Sequence, residues 1–510
     1  MVNRWIPLVA LMCMGAKCGT PSTVGVWGEF RLDGLEDKDL IDSHDTRMCV
    51  APDGTVYVVW IDDRTGVPEV WLNRQLASAE GAKAGWLPEA KLVSHGNTPP
   101  GETTSSVWNP NVACTDSQVY VVWEDDRDGE TESHQVYFNM SPAGGEAFLP
   151  TDRLLETDED GRTNSFNPQI AADGPSVFVT WSDNQNGAFD ILFARSTDSG
   201  NTWQDPIRID SDQPAGGAFS AFPQIATGQG GSNVYITWED FRNGEGETGG
   251  LDIYFARSTD RGQSFSPDAR LDTSDDPGAH NSFVPKISAD NDDIYIVWHD
   301  DRFGDSNDGF MVYSGDAGIT WSIDSRIDQG DTAGFAQTLY PKVCTSGSTG
   351  HISYHDNRGT GLYRAYYHRA KGGNWDGDEV RVDAYKADDQ RPSRNTQIAC
   401  EGENVLVAWL DELADLEEKG YNDIVYNYSA DGGVSWLEDP TSVSSQDNLK
   451  WYRIDSVLEG TAYKTDLNLS IKGDEIKAAW TDGRAGSTDI YFQKIIAGEK
   501  ALPLVPEQAE

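Results

Sequence analysis

The sequence predicts an all-β fold: an eight-bladed β-propeller of four-stranded antiparallel blades closed by an N-terminal strand, with seven blades as the alternative if the first or sixth unit is too irregular. Three observations lead there. A unit recurs along the chain, and the aromatic ending its main apolar run is Trp60, Trp123, Trp181, Trp238, Trp298, Tyr354, Trp409 and Trp480, at spacings of 55 to 71 residues. Repetition at such a period marks a solenoid or a propeller. Each unit also carries signals for four short strands separated by turns. Finally, the eighth unit stops after its third strand at Ile495-Ile496, while a spare fourth-strand segment, Arg31-Leu32-Asp33, precedes the first unit. Joined, the two fragments complete one blade, which closes the ring and removes its open sheet edges.

The elements of a unit follow in order. Strand A opens on a Pro-containing segment such as Asn109-Pro110-Asn111-Val112-Ala113 or Asn167-Pro168-Gln169-Ile170-Ala171 and ends at a turn such as Asp53-Gly54 or Asp173-Gly174. Strand B is an alternating β-branched and aromatic run, for example Val56 to Trp60, Val177 to Trp181 or Ile294 to Trp298. Strand C reads Asp190-Ile191-Leu192-Phe193, Asp252-Ile253-Tyr254-Phe255, Asp423-Ile424-Val425-Tyr426 or Asp489-Ile490-Tyr491-Phe492. Strand D is marked by the triplets Arg208-Ile209-Asp210, Arg270-Leu271-Asp272, Arg326-Ile327-Asp328, Arg381-Val382-Asp383 and Arg453-Ile454-Asp455. The chain therefore divides into a leader (1–18), a linker (19–28), the propeller (29–498) and a C-terminal tail (499–510).

Composition narrows the function. With 84 acidic against 39 basic side chains the net charge is -45, which repels nucleic-acid phosphates and anionic membrane surfaces, so no nucleic-acid partner is expected. Solvated surface charge is the first reading of that acidity. At the N-terminus Arg4 precedes the apolar run Trp5 to Ala16, too short to span a bilayer as a helix and suited to a secretory leader. Lys17-Cys18-Gly19 resembles the start of a mature bacterial lipoprotein, with Cys18 as the lipidated residue, although Lys17 replaces the usual small residue; Cys13 fits less well. Lipid attachment and plain secretion both stand, and a lipid anchor would be the only tie to a membrane. Export permits disulfides between Cys49 and Cys114 and between Cys344 and Cys400, in successive repeats, but their stagger of one or two residues favours isolated buried thiols at least equally.

Between strands C and D, Ser196 to Trp203, Ser258 to Phe265, Ser314 to Trp321 and Ser429 to Trp436 all fit Ser-x-Asp-x-Gly-x-Ser/Thr-aromatic. These turns resemble the Asp-box, or BNR, repeats of the sialidase-like β-propeller superfamily. Their physics is local: Asp198, Asp260, Asp316 and Asp431 accept hydrogen bonds from their own turns, and the aromatic buries itself against the blade. They read as structural.

A second motif, Trp-x-Asp-x-Arg, ends strand B at Asp62, Asp125, Asp240, Asp300 and Asp482, with Tyr354-Asp356-Arg358 as a variant and Gln185 and Leu413 replacing Arg in the third and seventh units. Period two puts all three residues on one face, which suits a repeated clamp between blades. The competing reading starts from topology, because the B–C and D–A connections emerge on one face. There Asp62, Asp125, Asp240, Asp300, Asp356, Asp482, Arg358 and Tyr354 are the ligand-face candidates, beside long acidic loops carrying aromatics, suited to a glycan or protein ligand. Asp158-Glu159-Asp160-Gly161 and Asp305-Ser306-Asn307-Asp308-Gly309 cluster oxygen ligands for Ca²⁺ without completing an EF-hand, so no metal ligand is assigned. Zinc is less favoured, as His351, His355 and His368 fall on different strands and loops.

The resemblance implies a catalytic set of three arginines, a Tyr with a Glu, and an Asp. Phe30-Arg31-Leu32-Asp33 imitates the family's N-terminal signature but lacks its Pro, and the same triplet recurs as a strand D mark, so Arg31 reads as structural. Those enzymes usually have six blades. Any asymmetric chemistry points to the sixth unit, where His351, Tyr354, His355, Asp356 and Arg358 break the consensus. The leading expectation is an exported, lipid-anchored or secreted binding or scaffold protein recognising a glycan; a sialidase-type glycoside hydrolase is the alternative, and a purely architectural envelope component a third.

Overall fold

In the computed structural model the described residues are 30–33, 42–78, 84–95, 106–127, 133–157, 163–244, 250–304, 306–359, 361–384, 392–412, 421–437, 441–442, 449–450, 467–482 and 488–497. The leader with Cys18, the linker and the tail lie outside them, as do the triplet at Arg453 and the acidic run Asp158 to Gly161. The fold is all-β, built from eight small antiparallel sheets in a ring, so the count is eight rather than seven. In blade 3, for example, strand A is Ser165–Asp173, B is Ser176–Asp183, C is Asp190–Ser196 and D is Ile207–Arg208, hydrogen-bonded in that order. In blades 6 and 7 two short segments share the outermost position, Asn374–Trp375 with Val380–Arg381 and Thr441–Ser442 with Leu449–Lys450.

Closure is as the split ends require. Phe30 and Arg31 pair antiparallel with Phe492 and Tyr491, so the N-terminal segment is the outermost strand of blade 8. The Leu32 amide donates to the Ile490 carbonyl at 2.7 Å, and its side chain is buried with Val58, Trp60, Ile490 and Phe492. Arg31 reaches Asp33 and Asp489, each at 2.5 Å, the pairing that Arg270 makes with Asp272 and Asp252 in blade 4. Arg31 is thus a strand D residue like the others.

Packing runs between blades. Tyr57, Val59 and Ile61 of blade 1 share one cluster with Val119, Val121 and Trp123 of blade 2, so each Trp fills the gap to the preceding blade. The inner edge is the ring of A strands, which the sulfurs stitch: Cys49–Cys114 and Cys344–Cys400 are disulfides, deciding between the two readings the sequence leaves open. Cys49 lies opposite Tyr57 but Cys114 opposite Val119, one place further along, and Cys344 and Cys400 repeat that offset opposite His351 and Val405. The stagger leaves Cα atoms 6.1 and 5.9 Å apart, inside the bonding range of about 4.4–6.8 Å. Disulfides belong to an oxidising compartment, which fits export.

The Trp-x-Asp-x-Arg motif is the clamp at the upper end of blades 1, 2, 4, 5 and 6. In blade 5 the Asp300 carboxylate accepts from Trp298 Nε1 (3.3 Å), Ser282 Oγ (2.7 Å), the Arg302 amide (2.8 Å) and the Arg302 guanidinium, through Nε at 2.9 Å and Nη2 at 2.5 Å. Arg302 also lies 4.1 Å over Phe310 and reaches Asp324 at 2.5 Å. Ser274, in the loop from the preceding blade, donates to the same Asp324, so the clamp ties blade to blade. Blades 1, 2, 4 and 6 repeat the Arg–Asp pair and the stacking.

Two predictions follow from closure and clamp. Leu32→Ala should cost about 2–5 kcal/mol in denaturant unfolding, since it cavitates the closing blade; unfolding coincident with the parent would deny closure a role in stability. The clamp prediction contrasts two carboxylates. Burial pushes Asp300 up, but Arg302 outweighs it and holds the carboxyl below its ordinary value, so its contribution is present above the unfolded pKa of about 3.9 and lost as pH falls through the folded one. Asp183, with Gln185 in place of Arg, is raised by burial, and its contribution is full below the unfolded pKa and lost as pH rises through the folded one. At neutral pH, Asp300→Asn should therefore cost about 3–5 kcal/mol while Asp183→Asn stays within about 1 kcal/mol of the parent. Equal losses in thermal melts would show that the guanidinium is not what makes buried carboxylates tolerable.

Candidate functional site

The structure places the sequence-level ligand-face candidates within the clamp. Asp62, Asp125, Asp240, Asp300 and Asp356 are fully buried, because the strand continues past them and period two keeps Trp and Asp on the interblade face. Tyr354 replaces Trp and is 0% exposed. Its hydroxyl donates to Glu379, which also receives Arg358 Nη1 at 2.9 Å, and burial together with that carboxylate lifts the phenol far above its ordinary range. Asp482 ends its strand opposite Asp489, with its side chain outside the described residues. The turn carboxylates sit at the opposite end of the blades: Asp198 accepts the Thr202 amide at 2.8 Å and its hydroxyl at 2.6 Å, and Asp260, Asp316 and Asp431 do the same with Ser264, Thr320 and Ser435.

Carboxylates do converge elsewhere, at Asp190, Asp210 and Asp212 and at Asp308, Asp328 and Asp331. In each group an arginine already serves as the cation: Arg208 meets Asp190 at 3.3 Å and Asp212 at 3.1 Å, and Arg326 meets Asp308 at 2.9 Å and Asp331 at 3.3 Å. Burial and the neighbouring carboxylates push Asp210 and Asp328 up to about 8, so a proton relieves what charge remains. Of the Ca²⁺ candidates, Asp308 is committed to this pairing and to the Gly334 amide at 2.9 Å, while Asp158 to Gly161 and Asp305 lie outside the described residues. The three histidines part company. His351 Nδ1 faces the Tyr367 hydroxyl at 2.7 Å, His368 Nδ1 the Ile327 carbonyl at 2.9 Å, and His355 the mouth of the central channel.

That mouth is the asymmetric part of the molecule. Two residues past a bulge in each A strand stand Arg47, Asn111, Gln169, Gln224, Lys286 and Lys342 in blades 1 to 6, and they bond laterally: Asn111 Nδ2 to Gln169 Oε1 and Lys286 Nζ to Gln224 Oε1, both at 3.0 Å. Further in along the same strands, Met48, Val112, Ala171, Ala226 and Ile287 help to line a cavity of about 420 Å³. The residue between Trp and Asp points toward this rim rather than into the clamp. Glu124 and Glu239 there accept the amides of Asn167 (2.7 Å) and Val284 (2.5 Å), holding the next blade's bulge, and His299 and His355 join a chain of rings. Centroids run Phe283–His299 5.4 Å, His299–Tyr340 5.4 Å, Tyr340–His355 5.8 Å and His355–Tyr363 5.2 Å, with Arg394 4.7 Å over Tyr363.

Its electrostatics oppose those of the protein at large. Burial and Arg47 pull Lys342 down to about 8, and burial and Lys342, with Arg47, take Lys286 well below its ordinary range against the opposing pull of Glu239. Arg47 belongs to blade 1 and the lysines to blades 5 and 6, so the cations act on one another across the channel. His299 falls to about 4, by burial and Lys342, and His355 to about 3, by burial and then Arg394, His299 and Lys342; both imidazoles are neutral at neutral pH. Burial raises Glu239 to about 7. The arrangement can hold an anion over neutral hydrogen-bonding rings. Sequence reasoning missed Lys286 and Lys342 because they lie on strands; the available signal was the residue after the A-strand proline, Asn or Gln in blades 2 to 4 and Lys in blades 5 and 6.

No protein-family model and no curated protein matches this sequence. Solved structures do. A PL25 ulvan lyase, a polysaccharide lyase bound to -[GlcA(1-4)Rha3S]-, aligns at TM-score 0.46 and 14% identity over 91% of this chain and 98% of its own. The polysaccharide lyase Uly1 aligns at 0.47 and 12% over 74% and 88%. The GH93 alpha-L-arabinofuranosidase of Fusarium graminearum, in complex with arabinobiose, aligns at 0.37 and 14% over 65% and 93%. At these identities the likeness is one of fold.

Proposed function

We propose that this is an exported propeller that binds an acidic glycan at its channel mouth, with Lys286, Lys342 and Arg47 taking the carboxylate or sulfate and the aromatic rim meeting the sugar rings. One observation carries the reading: Arg47, Lys286 and Lys342 hold the same A-strand position in blades 1, 5 and 6, around one channel in a chain of net charge -45, where burial disfavours the charged lysines and an arriving anion would favour them. That face adds exposed rings, Phe222 on its A strand and Phe219, Phe303 and Phe335 in the loops, the last 73% exposed. Sugar faces stack on such platforms, and an anionic group supplies orientation. Lipid attachment at Cys18 is the proposed anchor, which would hold the mouth at a cell surface.

The sialidase-type alternative asks for arginines that converge beside a Tyr–carboxylate pair. Tyr354 and Glu379 do pair, but inside the blade, and the guanidiniums of Arg64, Arg127, Arg242, Arg302 and Arg358 each stay with the Asp of their own blade. Binding is therefore the reading that the geometry favours.

The test uses labelled oligomers of polygalacturonate, dextran sulfate and neutral dextran in fluorescence anisotropy at two salt concentrations. Acidic oligomers should bind and weaken with salt, and Lys286→Gln and Lys342→Gln should each lower affinity about tenfold. Equal binding of neutral dextran, or unchanged affinity in both lysine variants, would refute the site. Release of sialic acid from sialyllactose, lost in Tyr354→Phe, would replace it with the hydrolase.

A further inference from the structure

Near the mouth the A strands of seven blades break register, between Ala221 and Gln224, Phe283 and Lys286, and Leu339 and Lys342 in blades 4 to 6, and likewise in blades 1, 2, 3 and 7. One residue of each bulge takes the left-handed conformation. In four blades it is Asp45, Asn109, Asn167 or Asn395, with φ between 49° and 56°, residue types whose short polar side chains tolerate that region. In blades 4, 5 and 6 it is instead Phe222 (φ 54°), Val284 (φ 50°) and Tyr340 (φ 48°). A β-branched residue there is a true outlier, and persistent strain of this kind is a pointer to function.

The fold does not ask for these side chains, since Asp or Asn makes the same bulge in the sister blades. Nor does burial explain them: Phe222 is 37% exposed, and Val284 and Tyr340 are only partly buried. All three stand two places before Gln224, Lys286 and Lys342 on the same strands. The backbone that bears the strain is itself held, because Glu239 accepts the Val284 amide.

Resting on the acidic-glycan reading, we propose that Phe222, Val284 and Tyr340 form an apolar wall over the cationic floor, a specificity surface that meets the apolar ring faces of a uronic-acid oligosaccharide. The floor takes any anion of suitable size. The wall makes the site prefer a sugar chain to a bare anion.

The experiment replaces each residue by the one its sister blades use: Phe222→Asn, Val284→Asn, Tyr340→Asn and the triple variant. Readouts are the melting temperature, the affinity for a hexamer of galacturonic acid, and competition against that hexamer by inorganic sulfate. Val284→Asn should raise the melting temperature. The triple variant should bind the hexamer about tenfold more weakly, while sulfate inhibits with its parental constant. Parental hexamer affinity in the triple variant, or a lower melting temperature in Val284→Asn, overturns the wall. If the hexamer fails to bind the parent, or Lys286→Gln and Lys342→Gln leave its binding unchanged, the floor itself fails, an outcome separate from loss of the wall alone.

Discussion

A propeller blade is apolar on both faces, so it buries its residues only with a neighbour on either side, and that constraint forces the ring to close. Here closure rests on one short antiparallel pairing, Phe30–Arg31 against Tyr491–Phe492. Everything inward depends on it. The fully buried tryptophans sit between blades, the Asp–Arg clamp of blade 5 bridges that blade to the loop before it, and the channel exists only because blade 8 joins blade 1. The cationic mouth is a product of the same closure, since Arg47 and Lys342 act on each other across the circle and not along the chain.

Repetition and departure from it divide the labour. Residues that recur from blade to blade, such as the clamp aspartates and the four turn aspartates, are satisfied within the fold: Asp300 is surrounded by donors, and Asp198 is used up by Thr202. The residues that break the pattern are left with something to offer. Lys286 and Lys342 stand where blades 2 to 4 have Asn or Gln, His299 and His355 where those blades have Glu or Ser, and these substitutions fall in adjacent blades. An eightfold scaffold thereby acquires one side.

Much of the architecture was legible in the sequence, because it follows from short-range rules. Alternation in Val177 to Trp181 gave the strand, the spacing of Trp-x-Asp-x-Arg gave the interblade face, and the orphan Arg31-Leu32-Asp33 gave closure. The disulfides stayed undecided because the offset of Cys49 from Cys114 could be weighed only against a repeat alignment, which says nothing of how neighbouring inner strands stagger. The site was harder still. Tyr354 and Arg358 looked distinctive in a one-dimensional comparison, yet both face into the blade, whereas Lys342 and His355 gain their meaning from side chains three or more blades away or across a gap that no local pattern encodes.

The outermost strands are only two residues long in every blade, and several carry an arginine locked to carboxylates. A perimeter like that presents almost no free backbone for another polypeptide to add a strand to. Association through added strands is thereby steered away from the rim and leaves the two flat ends of the disc as the faces open to contact, with the channel axis as their common line.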